Sequence, residues 1–268
     1  MPLTTKPLPW GCQRRASPLS ATRVTHDLPG CPPRQPGRDE PRRGCCQMRF
    51  PPVDGDRTAS HPMRLLLIRH AETPSNVAGV IDTRVPGPRL TALGDKQAHD
   101  LIAVLKHERI DTIVVSTQVR TALTAAPLAS KLLLTPVVAD GLREITAGSL
   151  EMKGDRRSVG TYLSTLATWV GGALTVRVPG GESGHEFMQR CDAVLSDIFE
   201  TGCRVAAVIS HGAAIRTWAS SRARNAGRAD LSHDLDNTEV VVVNGSPGDW
   251  MLNRQTRDDG VSDIRART

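Results

Sequence analysis

Five residues of this chain could grip or transfer a phosphoryl group, and each follows a short apolar run. Arg69 and His70 stand directly after "RLLLI", Arg120 shortly after "TIVVS", Glu144 after "PVVAD", and His211 directly after "AAVIS". A neutral imidazole is a nucleophile, an arginine fork matches phosphate oxygens two at a time, and a carboxyl can protonate a departing oxygen. Taken singly, each has a milder explanation. A lone histidine at a strand end is commonly a surface or satisfied core residue, Arg120 could be helix-face charge, and Glu144 a solvated loop carboxylate. Together they would concentrate positive charge beside helix N-termini, and such a cluster repels itself unless an anion binds there. Phosphate is an anion of the right shape, and helix N-termini would add backbone donors.

The intervening sequence supplies the elements that would bring these residues together. "RLLLI", "DTIVVS", "TPVVAD" and "RVAAVIS" read as buried strands, with "EVVVVN" and "WMLNRQ" as two late ones. "TALGDKQAHDLIAVLKHE" has a helical period, with Leu93, Ala98, Leu101, Ile102 and Leu105 on one side and Thr91 as cap. "TQVRTALTAAPLASKL", "DRRSVGTYLSTLATWVGG", "SGHEFMQRCDAVLSDIFE" and "AAIRTWASSRA" read as further helices. Strands alternating with helices predict an α/β fold, a three-layer α/β/α sandwich with a mostly parallel central sheet. In such folds ligands bind beyond the carboxyl ends of the strands, which is where the five residues fall.

Composition sets the front of the chain apart. Residues 1–62 hold 12 of the 19 prolines, four of the six cysteines and a net charge of +5, against +6 for the whole chain. Without any apolar period they read as a disordered Pro/Arg-rich leader, and Met63 as an alternative start. The competing reading is a basic arm for nucleic acid or an anionic surface. No stretch has the apolar length of a signal peptide or a membrane span. The cysteines form no CxxC pair. Cys191 and Cys203 read as core thiols, and the expected compartment is the cytoplasm. The expected domain is 63–257, with 258–268 as a flexible tail.

The motifs resemble those of the histidine phosphatase superfamily, the phosphoglycerate mutase-like proteins. In "LIRHAETPSN" the residues Arg69, His70, Glu72, Thr73 and Asn76 fit its signature, with Ala71 in place of the usual glycine. "LTALGDKQA", "VVSTQVRTALTA", "LREI", "PGGES", "VISHG" and "DNTEVVVV" follow in the family's order. "VAGVIDTRVPGPRLT" fits loosely, which leaves the substrate-facing loop open. The resemblance implies phosphoryl transfer through a phosphohistidine on His70. Arg69, Asn76, Arg120 and a protonated His211 would hold the phosphate, and Glu144 would be the general acid and base, with Glu151 the next choice. It implies no metal or other cofactor and a small phosphorylated substrate. A membrane or nucleic acid is not an expected partner, and oligomeric state is open. The expected activity is that of a phosphomonoester hydrolase. The alternatives are a phosphoglycerate mutase-type transferase and a phosphate-binding pseudoenzyme. Arg84, Arg89, Lys153, Arg156 and Arg157 are either mouth residues that select a second anionic group or ordinary solvated charge.

Overall fold

A computed structural model describes residues 61–226 and 234–253. The leader expected over 1–62, apart from its last two residues, and the tail expected over 258–268 lie outside the described residues. Six strands form one sheet: β1 (Met63–Arg69), β2 (Thr112–Val115), β3 (Val137–Val138), β4 (Val205–Ser210), β5 (Val240–Ser246) and β6 (Asp249–Asn253). Their spatial order is β3-β2-β4-β1-β5-β6. The pairings β3–β2, β2–β4 and β4–β1 are parallel, whereas β5 runs antiparallel to both β1 and β6.

Each strand divides its side chains between the two faces of the sheet. Leu66 and Ile68 join Leu101 of α2 (Ala92–Val104), Leu105 just after it, and Ala125 and Leu128 of α3 (Val119–Leu132). Leu65 and Leu67 face the other core. Its partners come from α4 (Arg156–Val170), α5 (Gly184–Glu200) and α6 (Gly212–Arg222). The expected three-layer sandwich is therefore what forms. A four-residue helix, α1 (Pro74–Val77), follows the first strand.

Local chemistry sets several boundaries, the Thr91 cap among them as read from sequence. Thr91 caps α2 by accepting from the Gly94 N–H at 3.0 Å. Ser183 and Glu186 form a reciprocal capping box at the start of α5. Cys191 and Cys203 are buried free thiols, each pushed up to about 12 by burial. Two expectations need correction. Leu93 is 51% exposed, so the buried face of α2 is carried by Ala98 and Leu101, with Leu105 just beyond it. The third strand shrinks to two residues, Val137–Val138, paired with β2 at the sheet edge, and the chain turns at Asp140 into a 3-10 turn.

Candidate active site

Strand register brings the two histidines together. Along the parallel pair β1–β4, Arg69 lies opposite Ser210, so His70 and His211 are each the next residue on adjacent strands. Their rings meet edge-on with centroids 5.2 Å apart. Arg120, in the first turn of α3, donates from Nε to His211 Nδ1 at 3.3 Å and from Nη2 to the Asp82 carbonyl at 3.0 Å. Arg69 donates from Nη1 to the Leu235 carbonyl. Two buried guanidinium nitrogens, Arg69 Nε and Arg120 Nη1, have no acceptor among the described residues. An anion held between the two arginines would satisfy both, as unpaired buried donors require.

His70 is held in one tautomer. Its Nδ1 lies 2.8 Å from the Ala71 carbonyl, which can only accept, so Nδ1 carries the proton and Nε2 keeps a free lone pair. Burial first, and then Arg120, lower its pKa well below 6.5, so the ring stays neutral.

His211 departs from the expected charge state. With Arg120 Nε–H donating to it, Nδ1 bears no proton. The one ring proton is then on Nε2, which donates to Ser116 Oγ at 2.8 Å. Burial, Arg120 and His70 all lower its pKa well below 6.5. The protonated His211 expected from sequence is thus replaced by a neutral ring that orients Arg120.

Glu144 lies at the N-terminus of α6. Its Oε1 accepts from the Ile145 N–H at 2.8 Å and the Ala214 N–H at 2.9 Å, and Oε2 accepts from the Ala213 N–H at 3.3 Å. Burial nevertheless raises its pKa, so the carboxyl retains a proton more readily than an exposed one. Oε2, with a single long hydrogen bond, is the oxygen left to carry that proton. A second correction follows. The Ala213 and Ala214 N–H groups in the first turn of α6 go to Glu144, and the Val119 N–H opening α3 goes to the Pro86 carbonyl at 2.9 Å. These helix starts therefore do not present those donors to an anion.

Asn76 is half-buried. Its Oδ1 is taken by the Thr73 N–H at 3.0 Å and the Thr73 hydroxyl at 2.9 Å, which leaves Nδ2 as the donating end. Glu151 accepts from the Thr83 N–H at 2.8 Å and so holds the loop. Glu72 accepts from the Thr91 hydroxyl at 2.7 Å and ties the nucleophile turn to α2. Arg84 forks onto Asp82, with Nη2 2.8 Å from Oδ2, while Arg89, Lys153, Arg156 and Arg157 are exposed.

Three contributors were not read from sequence. Asn237 donates to the His70 carbonyl at 2.9 Å. Ser116 fixes His211, and Gln118 in turn accepts from Ser116 at 2.8 Å. All three lie in quoted fragments, Ser116 and Gln118 in "VVSTQVRTALTA" and Asn237 in "DNTEVVVV", but none was singled out there. A separate cleft of about 440 Å³ is lined by Asp192, Trp218, Arg222 and Trp250, at the far end of α6 from His211.

A mixed sheet with buried histidine and arginine side chains at the carboxyl ends of its parallel strands defines an α/β class with a polar site at the sheet edge. Residues 65–258 match the histidine phosphatase superfamily (branch 1), and the chain belongs to that family of enzymes. It is 34% identical over 204 residues to the PE-PGRS family protein PE_PGRS11 of Mycobacterium tuberculosis, covering 69% of this chain but 35% of that protein. The chain thus spans about a third of the length of that relative. It is 29% identical over 149 residues to the putative phosphoserine phosphatase 2 of Hydrogenobacter thermophilus, covering 56% of this chain and 73% of that one. It is also 29% identical over 195 residues to the probable phosphoglycerate mutase GpmB of Yersinia pestis, covering 70% and 88%. The same fold occurs in a putative alpha-ribazole-5'-P phosphatase from Escherichia coli, with a TM-score of 0.57, 24% identity, and 71% and 94% of the chains covered. A mycobacterial glucosyl-3-phosphoglycerate phosphatase solved with VO3 gives 0.58, 22%, 71% and 97%. Among the described residues no helix is long and apolar enough to cross a membrane.

Proposed function

We propose that this chain hydrolyses a small phosphomonoester in two steps through a phosphohistidine on His70. The observation that carries the reading is the locked tautomer of His70, with Nε2 unprotonated beside two guanidinium groups that each have a buried N–H to give. In the first step the Nε2 lone pair forms a bond to phosphorus as the ester P–O bond breaks. Glu144 gives its proton to the leaving oxygen. In the second step water attacks the phosphoryl group, Glu144 takes back a proton, and the N–P bond breaks to return neutral His70. Arg69 and Arg120 hold the equatorial oxygens, Asn76 Nδ2 adds a neutral donor, and His211 acts by aiming Arg120. Arginines can supply the charge stabilisation that a metal supplies elsewhere, so activity should persist in chelator.

Hydrolysis is favoured over transfer between two metabolites by the shortness of the crossing segment. Only 36 residues separate Glu144 from Gly181, which leaves little chain to enclose a phosphorylated intermediate against water. His70→Ala should abolish turnover with the fold intact, and alkaline quenching of the unaltered enzyme should leave labelled phosphate on His70. An active alanine variant together with an unlabelled histidine would overturn the mechanism. A folded chain that binds phosphate but takes up no label would instead identify a pseudoenzyme.

A further inference from the structure

The turn that carries Glu144 is gripped by a buried ion pair that takes no direct part in the chemistry above. Glu182 lies two residues before α5 and Arg190 within it, with side chains 8% and 13% exposed. Arg190 donates from Nε to Glu182 Oε2 and from Nη2 to Glu182 Oε1, both at 2.8 Å. Its remaining donors go to main-chain carbonyls: Nη1 to Gly141 at 2.7 Å and to Arg143 at 2.9 Å, and Nη2 to Glu144 at 3.3 Å. Glu182 Oε1 also accepts from the Thr146 N–H at 2.8 Å. All five guanidinium N–H groups are thereby used. The pair holds the backbone before, at and after Glu144.

The turn also touches α5 directly. A Cβ on Gly141 would lie 2.3 Å from the Arg190 carbonyl oxygen, so the chain and the helix are in backbone contact. The guanidinium carbon itself lies 5.0 Å from the centre of the Phe187 ring, a cation–π contact with α5's own side chain. Glu144 is consequently held from two sides, its backbone by α5 and its carboxylate by the N–H groups of α6.

A buried ion pair is poor value as a stabiliser, because desolvation offsets most of its attraction. What this pair does have is direction, since every donor not bound to Glu182 points at residues 141–144. We propose that Arg190 and Glu182 are positioning residues for the general acid, setting where the Glu144 carboxyl stands relative to the leaving oxygen. The inference rests on the reading of Glu144 as that acid. Misplacement by about 1 Å can cost roughly 10²-fold in rate.

The test is the dependence of kcat/KM on leaving-group acidity, measured on a series running from nitrophenyl to alkyl phosphates with full-length variants. Glu144→Gln should steepen that dependence, since good leaving groups depart without a proton. Arg190→Lys keeps the charge but lacks the fork that reaches three carbonyls and a carboxylate together. It should steepen the dependence in the same sense, with about 10–10²-fold loss on an alkyl phosphate and only a few-fold on p-nitrophenyl phosphate. Inhibition by inorganic phosphate should stay within about twofold of wild type, as the arginine clamp is untouched. Adding Arg190→Lys to Glu144→Gln should slow the alkyl phosphate no further. If the lysine variant does not fold, Glu182→Gln decides by the same slope. Equal loss on every substrate, or none, alongside a steepened Glu144→Gln series would overturn the positioning role alone. An unchanged slope in Glu144→Gln would overturn the acid assignment, and this inference with it.

Discussion

Glu144 and His70 are shifted in opposite directions, and that sets the pH response of the site. Burial pushes the Glu144 carboxyl above its ordinary 4.5, while burial and Arg120 push His70 below 6.5. A raised acid and a lowered nucleophile overlap in their working forms on the acid side of neutrality. With an alkyl phosphate, kcat/KM should fall as pH rises and Glu144 loses its proton. Glu144→Gln should remove that descending limb and slow single-turnover phosphorylation by an alkyl phosphate about 10²–10⁴-fold, with far less effect on p-nitrophenyl phosphate. A limb that survives the substitution would belong to another group. That Arg69, His70, Arg120, Glu144 and His211 gather at one edge of the sheet was legible, because the apolar runs before them read as strands of a parallel sheet. Their charge states were not. The neutral form of His211 depends on Ser116 and Arg120, 95 and 91 positions away along the chain, and no local pattern records such contacts.

At the scale of elements, the nucleophile turn is braced by α2. A Cβ on Gly94 would lie 2.2 Å from the Glu72 carbonyl oxygen, so glycine is what allows the helix start to seat against the turn. Glu72 and Thr91 are joined at the same place. Gly94→Ala should therefore separate helix and turn, costing about 1–3 kcal/mol in urea unfolding and lowering kcat with it. An alanine variant of unchanged stability would show that the turn yields without loss. Most elements were readable from apolar period, and the start of α2 from its cap, Thr91. Leu93 was misplaced because it adds one more apolar residue to a weak stripe, and only packing decides which of them turn inward. Asn237 was missed because "DNTEVVVV" shows a strand but not that its antiparallel pairing with β1 brings Asn237 to the His70 carbonyl, 167 positions away.

For the whole molecule, two buried neutral histidines make stability depend on pH. Both His70 and His211 have folded-state pKa values below the ordinary 6.5, so beneath that pH the unfolded chain takes up protons that the folded site refuses. Stability should hold above pH 6.5 and decline below it, by about 1.4 kcal/mol per pH unit for each histidine. Urea unfolding between pH 7.5 and 5.5 should show this slope, and His70→Asn should reduce it by about one proton's worth. Identical slopes would mean that His70 is charged in the folded protein. The sheet order has a consequence for how the protein is made. β1 occupies an interior position, yet Arg69 pairs with Ser210, 141 positions later. At synthesis rates of about 5–20 residues per second, the first strand waits roughly 7–30 s for its neighbour to be translated. During that interval a segment apolar on both faces is attached to the ribosome with no sheet to join. A nascent-chain chaperone is the natural shelter for "RLLLI", and codon-level slowing ahead of Val205 would lengthen the exposure.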